Sequence, residues 1–263
     1  MPAGALPETF AMDGRPMCWL SVGSTIYLGP PLDLGAHGRM VGALLIGLSG
    51  PITIATDGQW VAARTVFIPA RSAAETVTAS GWVAVCTFDP TATRLSQCTD
   101  GMRSAVNGLL IGHRNEERLI QSCTSDTFNP EYILREVGVQ AAPSAQARPI
   151  DPRITAVGER VRRDPHTTVS AADAAQAVGL SQAYFLTLFA QETGTTFRRY
   201  RLWVRLIHAA SAIGGGKLLT QAATDAGFAS PSHLSDTARA LLGISTTAAL
   251  ATGARLLVDE QRT

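Results

Sequence analysis

The sequence predicts an α+β chain of two domains, with a β-rich first part and an all-helical second part. Three observations carry that expectation. Strand-like runs recur at roughly ten-residue spacing over the first hundred residues. A break rich in small residues and proline follows, Ala141-Ala-Pro-Ser-Ala-Gln-Ala-Arg-Pro149, with nothing to bury. Helical periodicity then dominates to the end. At 263 residues, 46% of them apolar, the chain has material for two cores.

In the first part the apolar or β-branched runs are Trp19–Tyr27, Met40–Leu48, Ile52–Thr56, Trp60–Ile68 and Trp82–Phe88. Glycine, proline and Asp57-Gly58 punctuate them, the last being a hairpin signal. A small barrel or sandwich is expected over residues 1–100. From Gly101 the spacing of Val106, Leu109, Leu110 and His113 reads as helical, and a further helix is expected over Pro130–Val137. Residues 101–140 are therefore expected to form a helical dimerisation or connecting region. Residues 141–150 form the linker and 151–263 the second domain.

Composition excludes several classes. Met1–Phe10 lacks the basic and apolar regions of a secretory leader, and Met40–Leu48 is too short to span a bilayer, so a cytoplasmic chain with no membrane partner is expected. Cys18, Cys86, Cys98 and Cys123 have no C-x-x-C spacing and read as reduced thiols, with a redox sensor as the alternative. Net charge is +1, but residues 150–263 carry +3 and residues 1–149 carry −2. The difference agrees with a nucleic-acid-facing second domain without proving one. No P-loop, dinucleotide fingerprint or nucleophile elbow is present, so no enzyme, catalytic residue or cofactor is expected.

The informative pattern occurs twice after the linker. Asp151-Pro152 supplies an N-cap and first-turn proline, and Asp164-Pro165 ends that helix. Ser170 with Asp173 then resembles a capping box, and Ala174, Ala175 and Val178 are small enough for close packing. Gly179 stands where a tight turn needs positive φ, and Ser181 caps a helix from Gln182. The second copy runs Thr220–Ser230, with Gly227 in the turn, Phe228 in the corner and Ser230 capping the next helix. Between the copies Phe197–Ala210 reads as one helix, which Gly214-Gly-Gly216 stops, a hinge being the alternative. Helix, glycine turn, helix is the arrangement that places a second helix in the major groove.

On these residues the chain resembles the AraC/XylS regulators, over about residues 151–250. Ser181–Gly194, Phe197, Tyr200, Arg205, Leu206 and Ala209 match the framework of that family, and Ala222–Ser235 matches its second unit. The resemblance implies base contacts from Gln182, Ala183, Leu186 and Thr187, and from Ser232, Ser235, Asp236 and Arg239. It implies phosphate contacts from Ser181, Arg198, Arg199, Arg201, Arg205 and Ser230. The chain departs from the pattern at Thr187, Ala190 and Asp236, where basic residues are usual, which puts the second unit's readout in doubt. Arg205 has an internal ion pair as its alternative. Tyr184, Phe185, Leu188, Phe189, Tyr200 and Trp203 are expected to pack inside, and His208 and His233 to be structural rather than metal ligands.

The first domain resembles the cupin-like sensor barrels that precede this DNA-binding unit, on Leu28–His37 and Trp60–Pro69. Only His37 occurs before residue 113, too few histidines for a cupin metal centre. Arg39, Arg64, Arg71 and Glu75 are the groups expected to face a pocket. The resemblance implies a sequence-specific transcription regulator with double-stranded DNA as partner, controlled by a small-molecule effector or a protein partner. It also implies a homodimer and, for an activator, contact with RNA polymerase. A protein-interaction adaptor and a cupin-type metalloenzyme are the rival readings.

Overall fold

The structure is a computed structural model and describes residues 10–11, 14–21, 23–31, 40–72, 74–93, 95–138, 149–242, 246, 251 and 253–259. The predicted linker core and Arg39 lie outside the described residues. The first part holds β1 (Phe10–Ala11), β2 (Met17–Ser21), β3 (Ser24–Gly29), β4 (Ala43–Gly47), β5 (Ile52–Thr56), β6 (Gln59–Ala63), β7 (Thr65–Ile68), β8 (Ala74–Ala79) and β9 (Val83–Phe88). Then come α1 (Leu95–Thr99), β10 (Met102–Val106), β11 (Leu109–His113), α2 (Glu116–Thr124), β12 (Thr127–Phe128) and α3 (Pro130–Val137).

An eight-stranded sheet runs β10-β11-β7-β4-β9-β3-β2-β13, where β13 is Arg255–Val258 at the far end of the chain. A three-stranded sheet runs β6-β5-β8. Side chains alternate across strands, and β4 shows the consequence. Ala43 and Leu45 join the core beneath the small sheet, while Leu44 and Ile46 join the core under α1, α2 and α3. All five β4 residues are buried, because both faces are covered. Among the described residues the barrel expected from the sequence is a pair of sheets that end at β10 and β13 and at β6 and β8, not a closed ring.

Two strand readings are corrected. Trp19–Tyr27 and Trp60–Ile68 each divide into two strands, at Gly23 and at Arg64. The expected helix after Gly101 is the hairpin β10–β11. Asn107 and Gly108 both take positive φ, 47° and 76°, so this turn repeats the chemistry of Asp57-Gly58, at 49° and 72°. The 3–4 spacing of apolar residues there is overridden by the turn, whose left-handed pair twists the chain into antiparallel pairing. The helix at Pro130–Val137 forms as expected, capped by the Asn129 side chain.

The second part contains α4 (Pro152–Arg163), α5 (Ala171–Ala177), α6 (Gln182–Thr193), α7 (Phe197–Gly214), α8 (Leu219–Asp225) and α9 (Pro231–Leu242). Their shared core contains Phe185, Phe189, Phe197, Tyr200 and Trp203, with Phe185 and Phe189 both edge-on to Phe197 at 5.1 and 5.3 Å. This part is not wholly helical, which corrects the all-α expectation. β13 pairs in parallel with β2, Arg255 opposite Met17 through Val258 opposite Leu20. No local pattern announces such a strand; the open N–H and C=O groups along the β2 edge supply its reason to extend. Gly214 lets α7 approach it, since a Cβ there would stand 2.9 Å from the Leu256 side chain.

The two parts are joined by more than chain connection. Asp89, fully buried after β9, accepts from the Thr91 amide at 2.7 Å, the Thr91 hydroxyl at 2.6 Å, Arg162 of α4 at 2.5 Å and the Tyr200 hydroxyl of α7 at 3.0 Å. Burial works against charge on Arg162, but the Asp89 carboxylate outweighs it and holds the guanidinium pKa above its ordinary value. Burial and then Asp89 push the Tyr200 hydroxyl up as well, which keeps it a donor. Gly158 allows α4 to pass this corner, because a Cβ there would sit 2.0 Å from the Thr91 hydroxyl. Met40 and Val41, ahead of β4, insert into the helical core, and Met40's carbonyl accepts from Thr195 at 2.5 Å.

Candidate nucleic-acid interface

Each unit forms locally for reasons its sequence supplies. Ser170 and Asp173 make the reciprocal capping box on α5, satisfying two backbone donors at once. Gly179 adopts φ 68°, the left-handed turn that swings the chain from α5 into α6. Ser181 accepts from the Tyr184 amide to start α6, and Gly194 at φ 69° ends it. In the second unit Gly227 takes φ 77°, and the Ser230 hydroxyl accepts from the His233 amide to start α9. The helix α8 opens on Leu218, which has no capping side chain. At 18 residues α7 is longer than the stretch read from sequence and spans about 27 Å.

On α6, Phe185, Leu188 and Phe189 face inward, leaving Gln182, Ala183, Leu186 and Thr187 exposed together. On α9, Leu234 and Ala238 face inward, Ser232, Asp236 and Arg239 are exposed, and Ser235 is half-buried. The base-reading residues implied by resemblance thus fall on one outward face of each helix. Among the described residues both faces are open to solvent, with Ser235 half-buried. Ser181 is exposed and Ser230 half-buried, both engaged as caps.

Tyr184 is a correction. The sequence reading places it in the core, whereas it is 51% exposed. It sits on the flank of α6, beyond the inward stripe, with its hydroxyl beside Arg153 of α4. The helical angle between residues 184 and 188 gives the signal, since two residues one turn apart can straddle the edge of a face.

The arginines divide in two. Arg198 is exposed and Arg199 half-buried at the start of α7. Arg201 donates to the Val169 carbonyl and stacks over Phe197 at 5.6 Å. Arg205 donates to the Pro165 carbonyl at 3.0 Å, to His166 at 3.5 Å and to the Thr168 hydroxyl at 3.0 Å. Both therefore hold the loop between α4 and α5. The Arg201 pKa is lowered, by burial first and then by Arg205 and Arg198, so these cations lie close enough to repel one another. An anion at the Arg198 end would relieve that repulsion.

Among the residues expected at a ligand pocket, Arg64 donates to the carbonyls of Gly47 and Leu48, at 2.8 and 3.0 Å, and so closes the strand end. Arg71 is exposed in a turn at φ 64°. The side chain of Glu75 lies outside the described residues. A cavity of about 90 Å³ lies instead at the seam, lined by Ser21, Arg162, Trp203, Val204, Ile207, His208 and Ser211. Burial lowers the His208 pKa, so its imidazole is held toward the neutral form. His233 accepts from the Ala229 amide and lies edge-on to Phe228, a structural role. Among the described residues no cluster of three or more His, Cys, Asp or Glu could hold a metal ion, and no helix is long and apolar enough to cross a membrane.

Residues 174–251 match a protein family described as a helix-turn-helix domain. No curated protein sequence matches the chain. Among solved structures, an apo ToxT variant from Vibrio cholerae is 13% identical over 87% of this chain and 97% of its own, with a TM-score of 0.58. Unsaturated fatty acid-bound ToxT from the same organism is 12% identical over 86% of this chain and 94% of its own, at 0.53. A transcriptional regulator from Chromobacterium violaceum, described as containing an AraC-type DNA-binding domain, is 29% identical over 36% of this chain and 85% of its own, at 0.34. The likeness to ToxT is one of fold and spans both parts of the chain. Residues 174–251 therefore form a helix-turn-helix domain, carried with a β-rich part in the two-part fold that ToxT shares.

Proposed function

We propose that the chain is a sequence-specific transcription regulator whose β-rich part sets the placement of its two DNA-reading units. The observation that carries this is the pair of uncovered reading faces on α6 and α9, joined by one continuous helix. With α7 about 27 Å long, the units suit successive major grooves on one side of a duplex if the DNA bends modestly or one unit engages loosely. Gln182, Ala183, Leu186 and Thr187, with Ser232, Ser235, Asp236 and Arg239, are the base contacts of this proposal. Ser181, Arg198, Arg199 and Ser230 are its phosphate contacts, and Arg201 and Arg205 shape the loop behind them.

Control acts at the seam. The cavity has room for only a few water-sized groups. ToxT structures exist with an unsaturated fatty acid and with a naphthalenyl butenoic acid; a ligand of that size here would have to part α7 from β2. Such a ligand shifts DNA affinity only by its different affinity for docked and parted states. The same proposal has the protein act in the cytoplasm, as two chains on one operator, with RNA polymerase as partner if it activates. Arg71 and Glu75 stay in it as candidate ligand groups at the rim of the β-rich part.

The test is titration of the full chain onto its own upstream DNA, at about 0.15 M salt with excess nonspecific competitor. Saturable binding that a Gln182→Ala, Thr187→Ala double variant loses supports the regulator. Binding that competitor removes equally from both proteins refutes specific readout and favours the adaptor.

A further inference from the structure

The two reading helices present opposite chemistry at equivalent positions. Aligned on their caps, Ser181 and Ser230, the pairs are Ala183 with Ser232, Leu186 with Ser235, Thr187 with Asp236, and Ala190 with Arg239. On α6 the exposed residues are Gln182, Ala183, Tyr184, Leu186, Thr187 and Gln191, none of them charged. Its single acid, Glu192, is half-buried and accepts from the Asp151 amide. The Thr187 hydroxyl donates back to the Ala183 carbonyl at 3.1 Å, which leaves an acceptor oxygen and a methyl to offer a partner. Leu186 is 39% exposed. At the centre of α9's outward face stand Asp236 and Arg239, both exposed and one helical turn apart.

The major groove offers one apolar group, the thymine C5-methyl; guanine offers two acceptors and cytosine one donor. The α6 face has methyls for the first and, in Gln182, an amide that suits adenine. It has no cation for guanine and no carboxylate for cytosine. The α9 face has both, Arg239 to donate to guanine and Asp236 to accept from the cytosine amino group. Asp236 facing phosphates would be repelled, and a cytosine contact beside Arg239 removes that conflict.

We propose that the chain reads a split site: a thymine-bearing A·T half under α6, recognised through methyl contact, and a G·C-bearing half about one turn away under α9. This rests on the DNA-binding reading above. The departures from a basic pattern at Thr187 and Asp236 are then the specificity, not a loss of it.

The experiment selects duplexes from a random library with the full chain, then replaces thymine by uracil in each selected half, which deletes only the methyl. Uracil in the α6 half should weaken binding about fourfold per contacted methyl and leave the other half indifferent. Leu186→Ala, an exposed position, should abolish that uracil sensitivity while the melting temperature holds. Asp236→Ala should relax cytosine preference in the other half by about tenfold. Specific binding that ignores uracil in both halves, or in which Leu186→Ala changes neither, overturns the split readout and leaves the regulator standing. Selection of no sequence at all overturns both.

Discussion

The first helix-turn-helix unit and the second differ in what holds them. The first shares its core with the β-rich part: Met40 and Val41 pack among Phe185, Phe189 and Tyr200, and Asp89 binds both α4 and α7. The second, α8 and α9, makes its main contacts with α7 and with itself, and reaches the same helical core through Ala223, Phe228 and Leu234. Its start is the uncapped Leu218, 67% exposed, after three exposed glycines. The first unit is therefore tied more closely to the β-rich part, and the second meets it through the shared helical core. A displacement of α7 against the β-rich part would move the second unit with it. The strand β13, gripped between α7 and β2, is placed to feel that movement.

That asymmetry can be broken at its tightest point. Asp89→Ala leaves Arg162 buried without its counter-charge, held only by the Thr91 and Tyr200 hydroxyls, and should destabilise the chain by about 3–5 kcal/mol in urea unfolding. Replacing the pair together, Asp89→Leu with Arg162→Met, should recover much of the loss; equal damage from the double variant would mean that shape, not charge, joins the parts. Core truncations test the contrast directly. Phe189→Ala should cost about 3–5 kcal/mol and lower protection from hydrogen exchange in both parts. Phe228→Ala should cost a similar amount, but open α8 and α9 ahead of the rest.

Smaller effects sharpen the picture. Thr195→Val removes the bond to the Met40 carbonyl and should cost about 1 kcal/mol, with faster exchange ahead of β4. Acid gives the last. His113 is buried, its Nδ1 accepts from the Asn115 amide, and its Nε2 has no partner. Burial first, and then Arg114, lower its pKa to about 4 from 6.5. The unfolded chain therefore takes up this proton before the native one. Stability from His113 is full above pH 6.5 and falls away as pH drops toward 4. His113→Gln should flatten the stability profile in that window, and an unchanged slope would assign acid sensitivity elsewhere.

The recognisable parts of this molecule are those built from neighbours in sequence. A capping box needs two residues three apart, a left-handed turn needs a glycine, and an inward stripe needs one residue per turn. Ser170 with Asp173, Gly179, Gly227 and the Phe185–Phe189 stripe are legible for that reason, and with them the outward faces of α6 and α9. The same logic was available at Asn107-Gly108, where apolar spacing competed with a turn signal and the turn prevailed. Tyr184 lay at the margin of a stripe, where a sequence pattern assigns a residue to either side.

What tertiary structure decided was whatever depends on distant partners. Nothing near Asp89 in the chain forecasts that it will meet Arg162 and Tyr200, since a buried carboxylate is stable only where remote donors gather. Arg64, Arg201 and Arg205 were read as facing ligand or phosphate because an arginine's residue type does not say which carbonyls it will find. Arg255–Val258 becomes a strand only because β2 offers an unpaired edge. Sequence settled the caps, glycine turns and inward stripes of the second part, because those energies act over a few residues. The seam between its two parts was settled by burial and pairing, which act between residues that only folding brings together.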